Sequence, residues 1–171
     1  MVAMSRMNLK ELMRCLPQHG QVAWIGVRPE RGQPMVRFDS AAVEVGKGLA
    51  GDRFKGRPES KRQVTLIQAE HLQAIASMLH RDDLPPDLLR RNLVVSGLNL
   101  LALKERQFRV GQVVLEMTGL CHPCSKMETI LGPGGYNAMR GYGGITARVI
   151  EGGSIQQGDE VSVIDSKSRS D

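Results

Sequence analysis

Hydrophobic spacing divides the chain into one helical entry and a series of short strands. In residues 5–16 (SRMNLKELMRCL), Met7, Leu9, Leu12, Met13 and Leu16 gather broadly on one face, which predicts a short amphipathic helix. Asn8 or Ser5 can cap it, and Pro17 and Gly20 stop it. Beyond that point the runs are strand-like. Segments 22–27, 35–38, 42–45, 64–67 and 93–95 are apolar or β-branched and are bounded by Gly, Pro, Asp and Ser. Helical spacing returns in residues 68–79, where Leu72, Ile75, Ala76 and Leu79 recur at three and four. Pro85-Pro86 then breaks the chain, leaving one turn at 87–90. Two later stretches echo each other. After Gly111, Val113, Leu115 and Met117 alternate; after Gly158, Val161 and Val163 do the same. A Gly turn followed by period-two apolar residues, used twice, predicts neighbouring strands in a barrel or curled sheet.

The expected architecture is therefore mainly β (α+β): seven to nine short strands in a barrel-like domain, with one central helix and a short N-terminal helix. A doubly wound α/β fold needs several crossover helices, and only one well-patterned candidate is present. The expected boundaries are a helical extension over 1–20, the domain over 21–166 and a polar tail over 167–171.

Composition narrows the class. The 171 residues make one ordinary domain, and 41% hydrophobic with 24% charged residues is a globular balance that excludes disorder or fibre. No apolar run approaches the roughly 18–20 residues of a membrane span. Only six residues are aromatic, which disfavours a nucleic-acid reader built on base stacking. Net charge is +5, and residues 28–62 hold nine Lys/Arg against five Asp/Glu. That segment is either a solvated basic face or an anion-binding one. Three cysteines, Cys15, Cys121 and Cys124, do not make a secreted disulfide framework, and the N-terminus lacks a continuous apolar signal core. A reducing, cytoplasmic setting is expected.

Four stretches carry candidate chemistry. Cys121-His122-Pro123-Cys124, followed by Ser125 and Lys126, is the densest reactive cluster. A thiolate is a nucleophile, a sulfur acceptor and a soft metal ligand, and nearby positive charge favours it. A thioredoxin-like pair shares Cys-x-x-Cys but needs a βαβ context that is lacking here. A Cys₃His zinc set could be drawn from Cys15, His19, Cys121 and Cys124, although Pro17 interrupts the first pair. Two half-buried cysteines in a plain turn are the remaining reading. Segment 132–144 is rich in glycine and reads as a flexible loop or a binding lip. Gly51-Asp52-Arg53 is either a turn with a surface ion pair or a presenter of Arg53 to an anion. Arg90-Arg91-Asn92, leading into a strand, suits either a phosphate clamp or a solvated helix end.

Taken in order, Gly51-Asp52-Arg53, Arg91-Asn92-Leu93-Val94-Val95-Ser96-Gly97, Pro123-Cys124-Ser125-Lys126-Met127-Glu128 and Gly143-Gly144-Ile145 resemble the MOSC family, named after the C-terminal domain of molybdenum-cofactor sulfurase. The likeness runs from about residue 22 to 163 and is greatest to stand-alone bacterial members. It implies a strand-rich barrel and one cysteine, here Cys124, that ligates molybdenum of a bound pterin cofactor or carries sulfur as a persulfide. It implies cofactor contacts at Arg53, Arg90, Arg91, Asn92, His122, Lys126 and Arg148, and an association with pyridoxal phosphate. Phe54 stands where the family usually has histidine. In the enzyme reading, the chain reduces N-hydroxylated substrates with electrons from a donor protein, since it carries no flavin, haem or iron–sulfur signature. In the carrier reading, a cysteine desulfurase loads Cys124, and Cys121 helps release the sulfur.

Overall fold

The computed structural model describes residues 6–165. The first helix, α1 (Leu9–Arg14), is set by a capping box. The Asn8 side chain accepts from the Glu11 N–H at 3.0 Å, and the Glu11 carboxylate accepts from the Asn8 N–H at 2.8 Å. Ser5, the other candidate cap, lies outside the described residues. The helix buries none of its residues, and Leu9, Leu12 and Met13 face solvent. Its anchors lie at its end: Arg106 donates to the Arg14 carbonyl at 3.1 Å, and Leu16 packs against the core.

The domain is a closed barrel. β1 (Gly20–Val27) is long enough to serve three neighbours in succession. β2 (Val36–Phe38) pairs with its far end, and β3 (Ser40–Glu44) and β4 (Gly48–Leu49) belong to a separate three-stranded sheet completed by Gly153–Gln156. β5 (Val64–Gln68) leads into α2 (Ala69–Met78), which crosses over to β6 (Leu93–Ser96). That pair is parallel, as a helical crossover allows. β7 (Gln107–Val110) and β8 (Val113–Leu120) form a hairpin through Gly111. Two helices follow, α3 (Ser125–Leu131) and α4 (Gly135–Met139), then β9 (Ile145–Glu151), β10 (Gly153–Gln156) and β11 (Glu160–Val163). The ring runs β1-β6-β5-β9-β8-β7-β11 and closes where Gly20 meets Val161. Closure removes every edge within the seven-stranded ring.

The two core layers explain the sequence pattern. Val64, Leu66, Leu93, Val95, Phe108, Leu115 and Ala147 fill the barrel. Ile67, Leu72, Ile75, Val94, Met127 and Met139 form a second layer between the barrel wall and the helices. β5 is buried at all five positions because one face points inward and α2 covers the other.

Expectation and structure differ in three places. α4 occupies part of the 132–144 stretch expected as a flexible lip, and α3, also unexpected, immediately precedes it. The described residues hold eleven strands; β4, only two residues long, and β10, mostly exposed, do not signal themselves, and β9 is likewise unexpected behind the glycine-rich stretch. The echoed strands are linked through β7, which pairs with both β8 and β11. No helix among the described residues is long and apolar enough to cross a membrane.

Candidate functional site

The turn after β4 is organised by a buried carboxylate. The Asp52 side chain is 0% exposed and that of its partner Arg28 11%. Asp52 accepts from the Arg28 backbone N–H (2.8 Å), Nε (3.2 Å) and Nη2 (2.9 Å), and from Asn92 Nδ2 (3.3 Å). Burial by itself raises a carboxyl pKa; the hydrogen bonds and charge of Arg28 outweigh it and hold Asp52 below its ordinary 3.8. Asp52 is thus paired with Arg28 and not with its neighbour Arg53, whose N–H donates to the Arg28 carbonyl at 2.6 Å.

A surplus of positive charge follows. Arg53 and Arg90 stand beside this pair with no carboxylate of their own among the described residues. Burial first, then repulsion from Arg28 and Arg53, pushes the Arg90 pKa down against the pull of Asp52. Arg90 donates to the Gln33 carbonyl at 2.8 Å, and its backbone is left-handed (φ 60°), a conformation that non-glycine residues seldom adopt. The Arg53 guanidinium makes no hydrogen bond or ion pair among the described residues.

The cysteine turn is tied to the same neighbourhood. As β8 ends, the Cys121 N–H donates to the Gly144 carbonyl at 2.8 Å. Arg91, 4% exposed, donates to the carbonyls of Gly143 (2.8 Å), Leu89 (2.9 Å) and Cys121 (3.3 Å). A Cβ on Gly143 would collide with the Cys121 carbonyl, and one on Gly144 (φ 93°) with the Leu66 carbonyl. These two glycines serve close backbone packing. Cys121 is buried, whereas Cys124 is exposed and forms the N-cap of α3. One turn on, Glu128 accepts from the N–H groups of Gly134 (2.7 Å) and Tyr136 (2.9 Å), which fastens α4 to α3 and holds its carboxyl below the ordinary range. Cys121, Arg62, Cys124 and Arg28 all act electrostatically on Arg91, so thiol turn and arginine group share one field.

Of the residues expected at the site, Cys124, His122 and Lys126 are exposed along this turn, and Arg53 and Arg90 are half-buried beside Asp52. Three others are engaged elsewhere. Arg91 spends its donors on backbone carbonyls. Asn92 is wholly buried: its Oδ1 accepts from Thr65 N–H (3.0 Å) and Oγ1 (3.2 Å), and its Nδ2 donates to the Gly26 carbonyl (3.2 Å). It stitches β1 to β5, so the clamp expected from residues 90–92 reduces to Arg90. Arg148 lies on β9 opposite Glu116, whose carboxylate it pairs with at 2.6 Å, several residues from the Leu120–Ile145 pair that borders the cysteine turn. The zinc set is not assembled: His19 pairs with Glu160 at 2.8 Å, and no three His, Cys, Asp or Glu among the described residues could hold a metal.

Sequence reasoning passed over Arg28 and Arg62, visible only as members of the basic 28–62 segment. It also passed over Gln68 and His71, which have no local signal. Both line a cavity of about 230 Å³ against the turn, bordered by Cys121, His122 and Pro123 but not by Cys124.

Comparison with known proteins agrees with this architecture. The YuaD protein of Bacillus subtilis superimposes with a TM-score of 0.73 at 20% identity, over 86% of this chain and 97% of that one. YiiM of Geobacillus stearothermophilus gives 0.66 at 18% identity, over 85% and 75%. YiiM of Escherichia coli gives 0.65 at 17% identity, over 86% and 70%. At such identities the likeness shows the fold alone. No curated protein matches the chain significantly. The MOSC domain pattern matches residues 42–162, beginning later than residue 22 although β1 completes the barrel. The chain belongs to the MOSC domain family, which is associated with the molybdenum cofactor.

Proposed function

We propose that this protein binds the molybdenum cofactor through the Cys124 thiolate and reduces N-hydroxylated substrates with electrons from a separate donor protein. One observation carries the reading: an exposed thiol stands three residues from the Cys121 carbonyl that the buried Arg91 guanidinium holds at 3.3 Å, and the Arg53 guanidinium has no partner among the described residues. The donor set fits the group. A soft thiolate suits molybdenum, and paired guanidiniums suit a terminal phosphate. Cys124 would hold the metal; Arg53 and Arg90, with Lys126 and His122, would neutralise the anionic end. Arg91 keeps the turn in place from inside. When bound, the cofactor would supply the redox chemistry that cleaves an N–O bond.

A second reading draws on Cys121, three residues ahead of Cys124. In a sulfur carrier, a cysteine desulfurase loads Cys124 as a persulfide. The Cys121 thiolate then attacks the Cys124 sulfur, forming a disulfide and expelling the outer sulfur as hydrosulfide. The experiment is metal and pterin analysis of protein purified from a cofactor-producing host, with intact mass on the same sample. Stoichiometric molybdenum that is lost in Cys124→Ser supports the first reading. A labile additional sulfur without molybdenum supports the carrier, and neither signal refutes both.

A further inference from the structure

The cavity beside the cysteine turn has a chemistry unlike that of the arginine group. Leu100, Leu101, Leu120 and Ile145 supply aliphatic walls, and no carboxylate, ammonium or guanidinium lines it. An ion entering it would shed water and meet no opposite formal charge from a carboxylate, ammonium or guanidinium, which disfavours charged ligands. Its volume, about 230 Å³, lies below the roughly 300–1,000 Å³ of pockets that take drug-sized molecules, so its occupant is no larger than one ring or two fused rings.

Gln68 and His71 face this apolar space from within, and His122 stands at its border. Gln68 is 7% exposed, and its Oε1 accepts from the Leu100 N–H at 3.0 Å. That bond fixes which way the amide points and leaves the Nε2 donors without a partner among the described residues. Those donors are not sealed off but open to the cavity, where a ligand acceptor would take the place of water. His71 is half-buried and meets Tyr142 edge-on, with ring centroids 4.9 Å apart at 80°. Burial lowers its pKa below the ordinary 6.5 despite the opposing charge of Glu70, so at neutral pH it is an uncharged imidazole with one donor and one acceptor.

We infer that this cavity is a binding site for an uncharged, planar ring compound carrying a carbonyl or ring-nitrogen acceptor, oriented by the Gln68 amide and the His71 imidazole. The site is distinct from the arginine group and does not depend on a bound cofactor. Cys121, His122 and Pro123 form its border, which sets the ring against the turn that presents Cys124.

Three probes of one shape and different charge test the inference: benzamide, benzoate and benzamidine. Each is titrated into the full chain, free of any cofactor, and followed by amide NMR. Benzamide should shift the Gln68 side-chain amide together with Leu101 and Gly141. The two ions should bind about tenfold more weakly or worse, a difference of about 1.4 kcal/mol. Leu101→Trp, at a position 48% exposed on the rim, should fill the cavity and weaken benzamide about tenfold while leaving distant resonances in place. Equal binding of the ions, shifts confined to Arg53 and Arg90, no shift at Gln68, or an unaffected Leu101→Trp variant would each overturn it. Because no metal is present, the outcome is independent of the molybdenum analysis.

Discussion

Asp52→Asn isolates the charge at the centre of the arginine group. The amide keeps the side-chain volume but replaces one acceptor oxygen with a donor that faces the Arg28 fork. Arg28, whose side chain is only 11% exposed, would then be a buried cation without its anion and still close to Arg90. Removing one partner of a buried ion pair costs about 3–5 kcal/mol. For a domain of this size, 1 kcal/mol moves the midpoint by about 2–4 °C, so Tm should fall by about 6–20 °C. Calorimetry or circular dichroism at neutral pH reads this directly. The pH arm has a definite sign. Because the folded carboxyl titrates below 3.8, its contribution is present above that pH and is lost as pH falls from 3.8 through the lower folded value. The gap between wild type and variant should therefore close on acidification. Arg28→Met combined with Asp52→Asn should recover much of the loss, since neither member of the buried pair then carries a charge. A variant that keeps its sheet and melts within about 2 °C of wild type would refute the argument.

Three further outcomes follow from the same structure. Iodoacetamide applied to the native protein should label Cys15 and Cys124 and spare Cys121 until the chain is unfolded; peptide mass spectrometry reads the order, and equal labelling of Cys121 contradicts its burial. Gly132→Ala and Gly144→Ala both place a side chain at positive φ, costing about 1–3 kcal/mol, but only residue 144 would also press a Cβ against the Leu66 carbonyl. Urea unfolding should show Gly144→Ala to be the more damaging, and equal midpoints would remove the close-packing role assigned to it. Asn8→Ala should destabilise α1 by about 0.5–2 kcal/mol and speed its amide exchange, with global Tm unmoved because α1 buries nothing.

Much of the scaffold was legible along the chain. The β-branched run at 64–67 announced a strand, the three-and-four spacing of Leu72, Ile75 and Ala76 announced α2, and Asn8 was one of two caps offered for the first helix. Cys124 was legible as well, because a thiol amid Gly, Pro and Lys is a local chemical signal. α3 and α4 were not. Both are too short to nucleate on intrinsic propensity, and they exist through packing of Met127 and Met139 and the Glu128 bonds to residues 134 and 136.

Local spacing and side-chain type thus determined most of the barrel strands, the main helix and the candidate thiol, since each depends on neighbours a few residues away. Tertiary structure alone decided which polar groups are committed to the fold and which stay open at the candidate site. Arg53, Arg90, Arg91 and Arg148 are the same residue type, yet Arg91 is sealed against the carbonyls of residues 89, 121 and 143 while Arg148 pairs with Glu116. A buried charge must find partners, and any of several partners would satisfy it in the open chain. Barrel closure brings Asp52 to Arg28 and Asn92 to Thr65, and that long-range contact selects which guanidiniums are left for a ligand.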